Sequence, residues 1–420
     1  MRKVSRRELA RMVAALGTMS TMSTMSTVSA ASAASAASAR AVPLNGQTPT
    51  PFDSAQGGPS SYIGPLTGIT KGLDDRRFDP VAYTLDRYTA APRRLRFQAR
   101  TRRQAEAWQK TLRAKLTELI GGLPIIASGR QPLRPVTLET RAFPGYRREK
   151  IVFDSRPGVS VLAYLLLPEK AQTPAATMIC VPGHGRGVDD IVGIDEQGRD
   201  RTDKAGYQHD FAIQVAEAGM AAVAIEPMGF GCRRDPINAR QSLSRKACEP
   251  AAGGALLVGE TMIAWRVWDV MRTLDYIATR PELDSSRVGC MGISGGGTVT
   301  SFSTALEPRI RVALVSGYLN TFRDSVGSLA HCIDNYVPGI LNWAEMHDIA
   351  GLIAPRPLFV ESGEKDNIFP IDASIESFKQ VREIYGVFQA ADRVEQEVFP
   401  GEHSFWGKRG IPFLARHLSA

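Results

Sequence analysis

One serine of this chain lies among four glycines in residues 292–297, within the stretch VGCMGISGGGTVTSF. An apolar, strand-like run precedes Ser294 and a helix-compatible run follows it, so the pattern G-x-S-x-G falls between a strand and a helix. A sharp turn at that position lifts the serine hydroxyl above the end of the strand, and glycines two residues before and after it avoid side-chain collisions. The pattern therefore predicts that Ser294 is a catalytic nucleophile.

A serine hydroxyl becomes an effective nucleophile when a base accepts its proton and an acid orients that base. Asp366 follows the strand-like run PLFVESG, 72 residues after Ser294, and His403 follows the final run VEQEVFPG, 37 residues further on. Serine, aspartate and histidine in this order, each after a strand, are typical of α/β-hydrolases. We therefore predict a catalytic triad of Ser294, Asp366 and His403. Glu361 and Glu226 are the alternative acids, and Glu361 lies nearer the interior of its strand.

Acyl transfer passes through a tetrahedral intermediate whose oxyanion needs fixed N–H donors. We expect the backbone N–H of Gly295, at the start of the helix after the serine, to be the first donor. The glycine-rich turn VPGHGRG, residues 181–187, follows another strand-like run. We expect the main chain of Gly185 or Arg186 to be the second donor, and His184 of the same turn to contribute to the substrate site.

Strand-like and helix-like runs alternate from about residue 149 onward, which places these residues at strand ends. The strand-like runs are KIVFDS, VSVLAYLLLP, TMICVPG, MAAVAIEP, RVGCMGIS, RVALVSGY, PLFVESG and VEQEVFPG. Several of them are apolar throughout, as expected for parallel strands that are covered on both faces. The pattern predicts an α/β-hydrolase fold, with a mostly parallel sheet of about eight strands, helices on both faces and an N-terminal helical extension.

The N-terminal residues 1–41 have the character of an export signal. They begin MRKVSRRELARMVAALG, where Arg6 and Arg7 resemble a twin-arginine motif, and Ala39–Ala41 fits a small-x-small cleavage site. We therefore predict export to the periplasm or the extracellular space, with a disordered cytosolic tail of low complexity as the alternative. The segment is too polar for a membrane anchor. Its net charge of +5 leaves only +3 of the total +8 for the rest of the chain, so charge gives little support for nucleic-acid binding.

The remaining chain divides into three predicted parts. Residues 42–80 are rich in Pro, Gly, Ser and Gln and are typical of a linker. Residues 81–130 form the helical extension, with helical periodicity from about 83 to 123. Residues 131–420 form the catalytic domain.

Cysteine and acidic patterns do not predict a metal site. The chain has neither CxxC nor HExxH, so we expect neither a structural nor a catalytic zinc. The polar insert at residues 187–210 should lie at the mouth of the site. Its carboxylates could suggest a calcium site, but their spacing fits no EF-hand, and the favoured interpretation is a solvated loop. Cys180 and Cys290 lie in apolar runs and are predicted to be buried thiols. One pair among three cysteines in loop-like sequence could be oxidised in an exported protein, and these are Cys232, Cys248 and Cys332.

Most of the chain after residue 83 resembles secreted bacterial α/β-hydrolases of the dienelactone-hydrolase-like or acetylxylan-esterase-like group. The segments that carry the resemblance are GHGRG, the run from WDVMRTLDYIATRPELD to RVGCMGISGGG, CIDNYVPGI, DIAGLIAPRPLFVESGEKDNIFP and FPGEHSF. The resemblance implies the same triad. The chain departs from dienelactone hydrolases in having Ser294 instead of cysteine, and from many acetylxylan esterases in having Gly295 instead of glutamine. It also lacks the arginine that follows the serine in glucuronoyl esterases.

These observations predict a serine-dependent carboxylic-ester hydrolase that acts through an acyl-enzyme and needs no metal or organic cofactor. A small-molecule or oligosaccharide ester, of the acetylxylan type, is the expected substrate, by analogy and from the predicted export. The acyl group, the alcohol and the oligomeric state stay open. The alternatives are a serine peptidase on the same fold and a binding protein that has kept the fold without the chemistry.

Overall fold

The computed structural model describes residues 79–123, 131–170, 172–236 and 248–419. All of them belong to one unit of the chain, Gly57–Ala420. The predicted export signal, the predicted linker up to residue 78 and the last part of the predicted extension, residues 124–130, lie outside the described residues.

Two helices precede the sheet, where the periodicity predicted one helical stretch over residues 83–123. Helix α1 (Pro80–Thr89) starts at Asp79, whose carboxylate accepts the N–H groups of the first turn. Helix α2 (Arg102–Leu119) starts with a reciprocal cap between Thr101 and Gln104. Pro92 and the Thr101 cap separate the helices, because proline disfavours a helical residue before it and the cap residue is extended. The boundary at residue 130 stays a prediction.

Helix α2 packs against the rest of the protein through both apolar and polar contacts. Its buried Leu112 and Leu116 belong to the same core as residues of the catalytic region. The buried Gln109 amide donates to the Ala354 carbonyl at 2.7 Å, and the Arg113 guanidinium donates to the Ala305 carbonyl at 2.9 Å. The extension is therefore part of the packed structure.

The described residues form one sheet of nine strands, in the order β1-β2-β3-β5-β4-β6-β7-β8-β9. Neighbouring strands from β5 to β9 run parallel, and the first three strands pair antiparallel along one edge. The strands are β1 (Val136–Phe143), β2 (Tyr146–Arg156), β3 (Val159–Pro168), β4 (Ala175–Val181), β5 (Ala221–Ile225), β6 (Leu283–Ile293), β7 (Ile310–Ser316), β8 (Leu358–Gly363) and β9 (Val394–Phe399).

The predicted fold class, a mostly parallel sheet, is confirmed. The sheet has one strand more than expected, the edge strand β1, which the sequence pattern did not reveal. Its apolar Val136 and Leu138 are both more than half exposed, so β1 is held by pairing with β2 and not by burial.

Helices cover both faces of the sheet, as predicted. The further helices are α3 (Phe211–Glu217), α4 (Glu249–Leu257), α5 (Met262–Ile277), α6 (Gly295–Leu306), α7 (Met346–Gly351), α8 (Ile371–Val387) and α9 (Gly410–Leu418). Adjacent residues of β4 face opposite sides of the sheet. Met178 shares a core with Phe211 of α3, whereas Ile179 shares another with Val270 of α5. Within the described part of the chain, no helix is both long and apolar enough to cross a membrane.

We expect Leu112→Ala to lower the free energy of unfolding by about 2–5 kcal/mol, because it removes a fully buried side chain between α2 and the main core. Urea denaturation followed by circular dichroism measures the change. Leu138→Ala on the exposed edge strand is the control, with an expected change within about 0.5 kcal/mol. Equal effects of the two substitutions would contradict the packing of α2 described above.

Candidate active site

Ser294 occupies a sharp turn between β6 and α6. Its backbone has φ 57° and ψ −122°, a conformation that a non-glycine residue rarely adopts. A Cβ atom on Gly292 would lie 2.6 Å from the Gly296 backbone, and one on Gly296 would lie 2.7 Å from the Pro182 carbonyl oxygen. Both distances are shorter than a real Cβ allows. The two glycines of the G-x-S-x-G pattern are therefore required because no side chain fits there, and not because of their backbone flexibility.

The turn is held on both sides by neighbouring strands. The Ser294 N–H donates to the Ser316 carbonyl at the end of β7, over 3.0 Å. On the other side, the end of β4 leads into Gly183, where an added Cβ would lie 3.2 Å from Ser294 Cβ. Ser294 is 7% exposed, so the hydroxyl group lies in a confined space at the carboxyl end of the sheet.

Asp366 and His403 come together at the same edge of the sheet. Asp366 follows β8, and its Oδ2 accepts a hydrogen bond from His403 Nδ1 at 2.7 Å. Its Oδ1 accepts the N–H groups of Ile368 and Phe369, each at 2.9 Å, so the carboxylate orientation is fixed from both sides. This Asp–His pair orients the imidazole and sets its tautomer, with the proton on Nδ1.

The His403 ring stacks on two aromatic side chains. Tyr207 and Phe369 lie nearly parallel to it, with ring centroids 5.8 Å and 5.7 Å away. Gly317, directly after Ser316 at the end of β7, has φ +50°, and a Cβ there would lie 3.0 Å from His403 Cε1. His403 Nε2 is buried and has no hydrogen-bond partner among the described residues. The nitrogen that a general base would use is therefore unoccupied beside the Ser294 turn.

The two alternative acids are engaged elsewhere. Glu361 is fully buried and accepts the N–H of Gly407 at 2.8 Å and of Trp406 at 3.3 Å, and its burial raises its pKa to about 7. Glu226 accepts the N–H of Val188 at 3.1 Å, and its burial raises its pKa to about 8. Each carboxyl group holds a loop next to the site, and Asp366 is the acid that contacts His403.

The turn after β4 lies directly against the first residue of α6. A Cβ on Gly295 would lie 2.9 Å from the His184 ring. The Arg186 N–H donates to the Asp190 carboxylate at 2.8 Å, so the prediction that Arg186 could supply the second oxyanion donor is wrong. The N–H groups of His184 and Gly185 donate to no described residue, and Gly185 stays the candidate donor of the predicted pair.

Two side chains that the sequence did not single out position this turn. The Tyr207 hydroxyl donates to the His184 carbonyl at 2.6 Å, and the Gln208 side chain accepts the Gly183 N–H at 2.7 Å. Tyr207 thus joins the turn to the His403 ring that it stacks on. Both residues lie in the insert that was expected near the mouth of the site. Its composition indicated only a solvated loop, so no sequence signal marked these two side chains.

A family model and a curated protein are similar to this chain in sequence. A model described as the Abhydrolase family matches residues 89–400. The protein named "Putative hydrolase YtaP" of Bacillus subtilis (strain 168) is 26% identical over 287 residues, which are 67% of this chain and 89% of that protein.

Two solved structures share the fold at low identity. The crystal structure of "a putative acetyl xylan esterase" from Bacteroides fragilis NCTC 9343 has a TM-score of 0.69 and 18% identity. The match covers 83% of this chain and 97% of the esterase chain. The glucuronoyl esterase from Solibacter usitatus has a TM-score of 0.56 and 16% identity, covering 75% and 94%.

We expect Tyr207→Phe to lower kcat roughly tenfold, because loss of one partly buried hydrogen bond worth about 1–1.5 kcal/mol frees the turn next to Ser294. Initial rates on an aryl acetate measure the effect. Tyr385→Phe is the matched control. Tyr385 lies on α8, and its buried hydroxyl also donates to a backbone carbonyl, that of Arg356, at 2.6 Å. Equal losses of activity in the two variants would indicate a general loss of stability and contradict the positioning role.

Proposed function

The chain belongs to the Abhydrolase family, and we propose that within it the protein is a serine-dependent carboxylic-ester hydrolase. One observation carries the proposal. His403, whose side chain is 11% exposed, is oriented by Asp366 at 2.7 Å, while its other ring nitrogen is buried and has no described partner beside the Ser294 turn. This is the arrangement of base and acid that activates a serine hydroxyl.

In the proposed reaction, Ser294 Oγ attacks the ester carbonyl and His403 Nε2 accepts its proton. Asp366 stabilises the imidazolium that forms and holds the tautomer that presents Nε2 to the serine. The tetrahedral intermediate collapses when His403 protonates the leaving alcohol, and Ser294 keeps the acyl group. A water molecule, deprotonated by His403, then attacks the acyl-enzyme and releases the acid.

The oxyanion is assigned to N–H groups at the junction of the turn and α6. Gly295 is the first residue of α6, so its N–H has no acceptor within the helix. The positive end of the helix dipole favours negative charge at the same place. We assign the second donor to the turn, at Gly185 or the neighbouring His184, because the Arg186 N–H is engaged by Asp190.

An acetylated carbohydrate is the proposed substrate class. Two solved structures with the same fold are named as an acetyl xylan esterase and a glucuronoyl esterase, both of which are carbohydrate esterases by name. A panel of acetylated xylo-oligosaccharides, methyl uronates, aryl acetates and peptides tests the assignment. Turnover of peptides but not of esters would favour the peptidase, and no turnover of any member would favour a binding protein. Release of methanol from the uronates without release of acetate would contradict the acetyl specificity.

We expect Ser294→Ala to lower kcat on an aryl acetate by at least about a thousandfold with the fold intact, because it removes the nucleophile and little packing. A fluorophosphonate probe should label the unaltered protein and not this variant. Ser301→Ala, which removes a buried hydroxyl on the helix that follows Ser294, α6, is the control and should be labelled normally. Labelling of Ser294→Ala would rule out Ser294 as the nucleophile.

We expect Asp366→Asn to lower kcat by roughly three to four orders of magnitude with little change in KM, because asparagine can hold the wrong histidine tautomer and ground-state binding does not use this group. Steady-state kinetics over a range of pH measures both constants. Asp372→Asn, on the exposed side of α8, is the control and should retain full activity. A variant Asp366→Asn with nearly normal kcat would show that another group orients His403.

A further inference from the structure

Four side chains with metal-binding atoms meet behind the turn that follows β4. They come from three separate segments: His184 from the turn, Cys248 from the start of α4, and Cys332 and Asp334 from the connection between β7 and α7. All four are buried, and their ligand atoms all lie within 4.8 Å of one another. We propose that His184, Cys248, Cys332 and Asp334 bind one Zn²⁺ ion in a closed tetrahedral site.

The spacing of three of the four ligand atoms, those of His184, Cys248 and Asp334, fits a tetrahedron of zinc bonds, and the Cys332 sulfur lies within 4.8 Å of each. Zinc binds nitrogen and oxygen at about 2.0 Å and sulfur at about 2.3 Å, which places N and O about 3.3 Å apart and S about 3.5 Å from either. In the protein, His184 Nε2 lies 3.3 Å from Asp334 Oδ2. Cys248 Sγ lies 3.7 Å from Asp334 Oδ2 and 3.9 Å from His184 Nε2. A central cation would need these atoms to move by only a few tenths of an ångström.

The charge of the surroundings matches a bound divalent cation. Two thiolates and one carboxylate carry three negative charges, so a divalent cation leaves a net charge of −1. The guanidinium of the buried Arg266 supplies the compensating positive charge. It contacts the Asp334 carboxylate and lies 3.4 Å from Cys248 Sγ, and it is held by two hydrogen bonds to the Met228 carbonyl at 2.9 Å and 2.7 Å.

Arg266 is thus placed as an outer partner that orients two of the ligands. The other carboxylate oxygen of Asp334, Oδ1, accepts from the Asn335 amide at 3.2 Å, which fixes the carboxylate plane. Outer contacts of this kind are usual at metal sites, where they set ligand orientation.

The donor set selects zinc among the common divalent cations. Two sulfur atoms and an imidazole exclude magnesium and calcium, which prefer oxygen ligands. Four protein ligands without an open position are characteristic of structural zinc sites, not of catalytic ones. The ion would connect the turn, α4 and the segment at residues 332–334, and so hold the His184 ring against Gly295.

The expectation of no zinc rested on sequence motifs, and these ligands form none. Cys332 and Asp334 are separated by one residue, while Cys248 and His184 lie 84 and 148 residues before Cys332. Their proximity depends entirely on the packing of three loops. The zinc proposal goes beyond the esterase proposal and is tested separately from it, because zinc binding is measured without substrate.

Metal content of the purified full chain, reduced and reconstituted with zinc and then desalted, tests the site. We expect about one zinc per chain in the unaltered protein and under about a tenth of that in Cys332→Ser, because loss of a thiolate ligand sharply weakens binding. Cys232→Ser is the matched control, since Cys232 is exposed and outside the cluster, and it should keep the full zinc content. A chelator should lower the Tm of the unaltered protein and of Cys232→Ser.

A second measurement does not depend on the folding of a variant. Cobalt(II) added to the zinc-free protein should give a thiolate-to-cobalt charge-transfer band and the intense visible absorption of a tetrahedral site, and zinc should displace it. Three results would overturn the proposal: no zinc retained by the unaltered reduced protein, zinc content unchanged in Cys332→Ser, or a cobalt spectrum without the thiolate band. A disulfide between Cys248 and Cys332 in a protein that takes up no zinc after reduction would assign the pair to a different role.

Discussion

The structure depends on a close crossing of backbones at the turn that carries Ser294. The carbonyl groups at the end of β4 pass so near Gly292 and Gly296 that no side chain fits at either position. On the opposite side, the Ser294 N–H is bound by the Ser316 carbonyl of β7. The serine is therefore held in its unusual backbone conformation by two neighbouring strands, and the strain of the turn is balanced by the packing of the sheet.

His403, the proposed base, is held in place by groups of different kinds. Asp366 determines which imidazole nitrogen carries the proton, and the rings of Tyr207 and Phe369 determine the plane of His403. Glu361 holds the backbone just beyond His403 through two N–H groups. His403 is thus fixed by a hydrogen bond and by two ring contacts although it lies in a loop, which favours a reaction that needs little reorganisation.

The turn after β4 lies between the two sites considered above. Its main chain lies beside Ser294, while the His184 side chain points away to Asp334 and Cys248. The Tyr207 hydroxyl holds the His184 carbonyl, so the turn is fixed from the side of His403 as well. Because His184 belongs to this turn and to the cysteine cluster, the proposed oxyanion donors and the cluster are connected through a single peptide segment.

Local sequence determined the residues of the candidate active site and their order at the strand ends. The glycines around Ser294, the apolar strands and the positions of Asp366 and His403 directly after strands were all readable, because each is a short-range pattern. The division of the N-terminal helical stretch into α1 and α2 was also determined by local residues, Pro92 and the Thr101 cap, although periodicity alone did not reveal it. The edge strand β1 was not predicted, because its apolar residues are exposed and its stability comes from pairing with β2.

Only the tertiary structure decided what the long-range contacts do. It placed Tyr207 on His403, directed the Arg186 N–H to Asp190, and showed that Glu226 and Glu361 anchor loops. It also brought His184, Cys248, Cys332 and Asp334 together. Such groupings arise from packing between segments far apart in the chain, and no local pattern of residue types encodes the distances between their side chains. The sequence therefore determined the chemistry of each residue, and the fold determined which other residue it contacts.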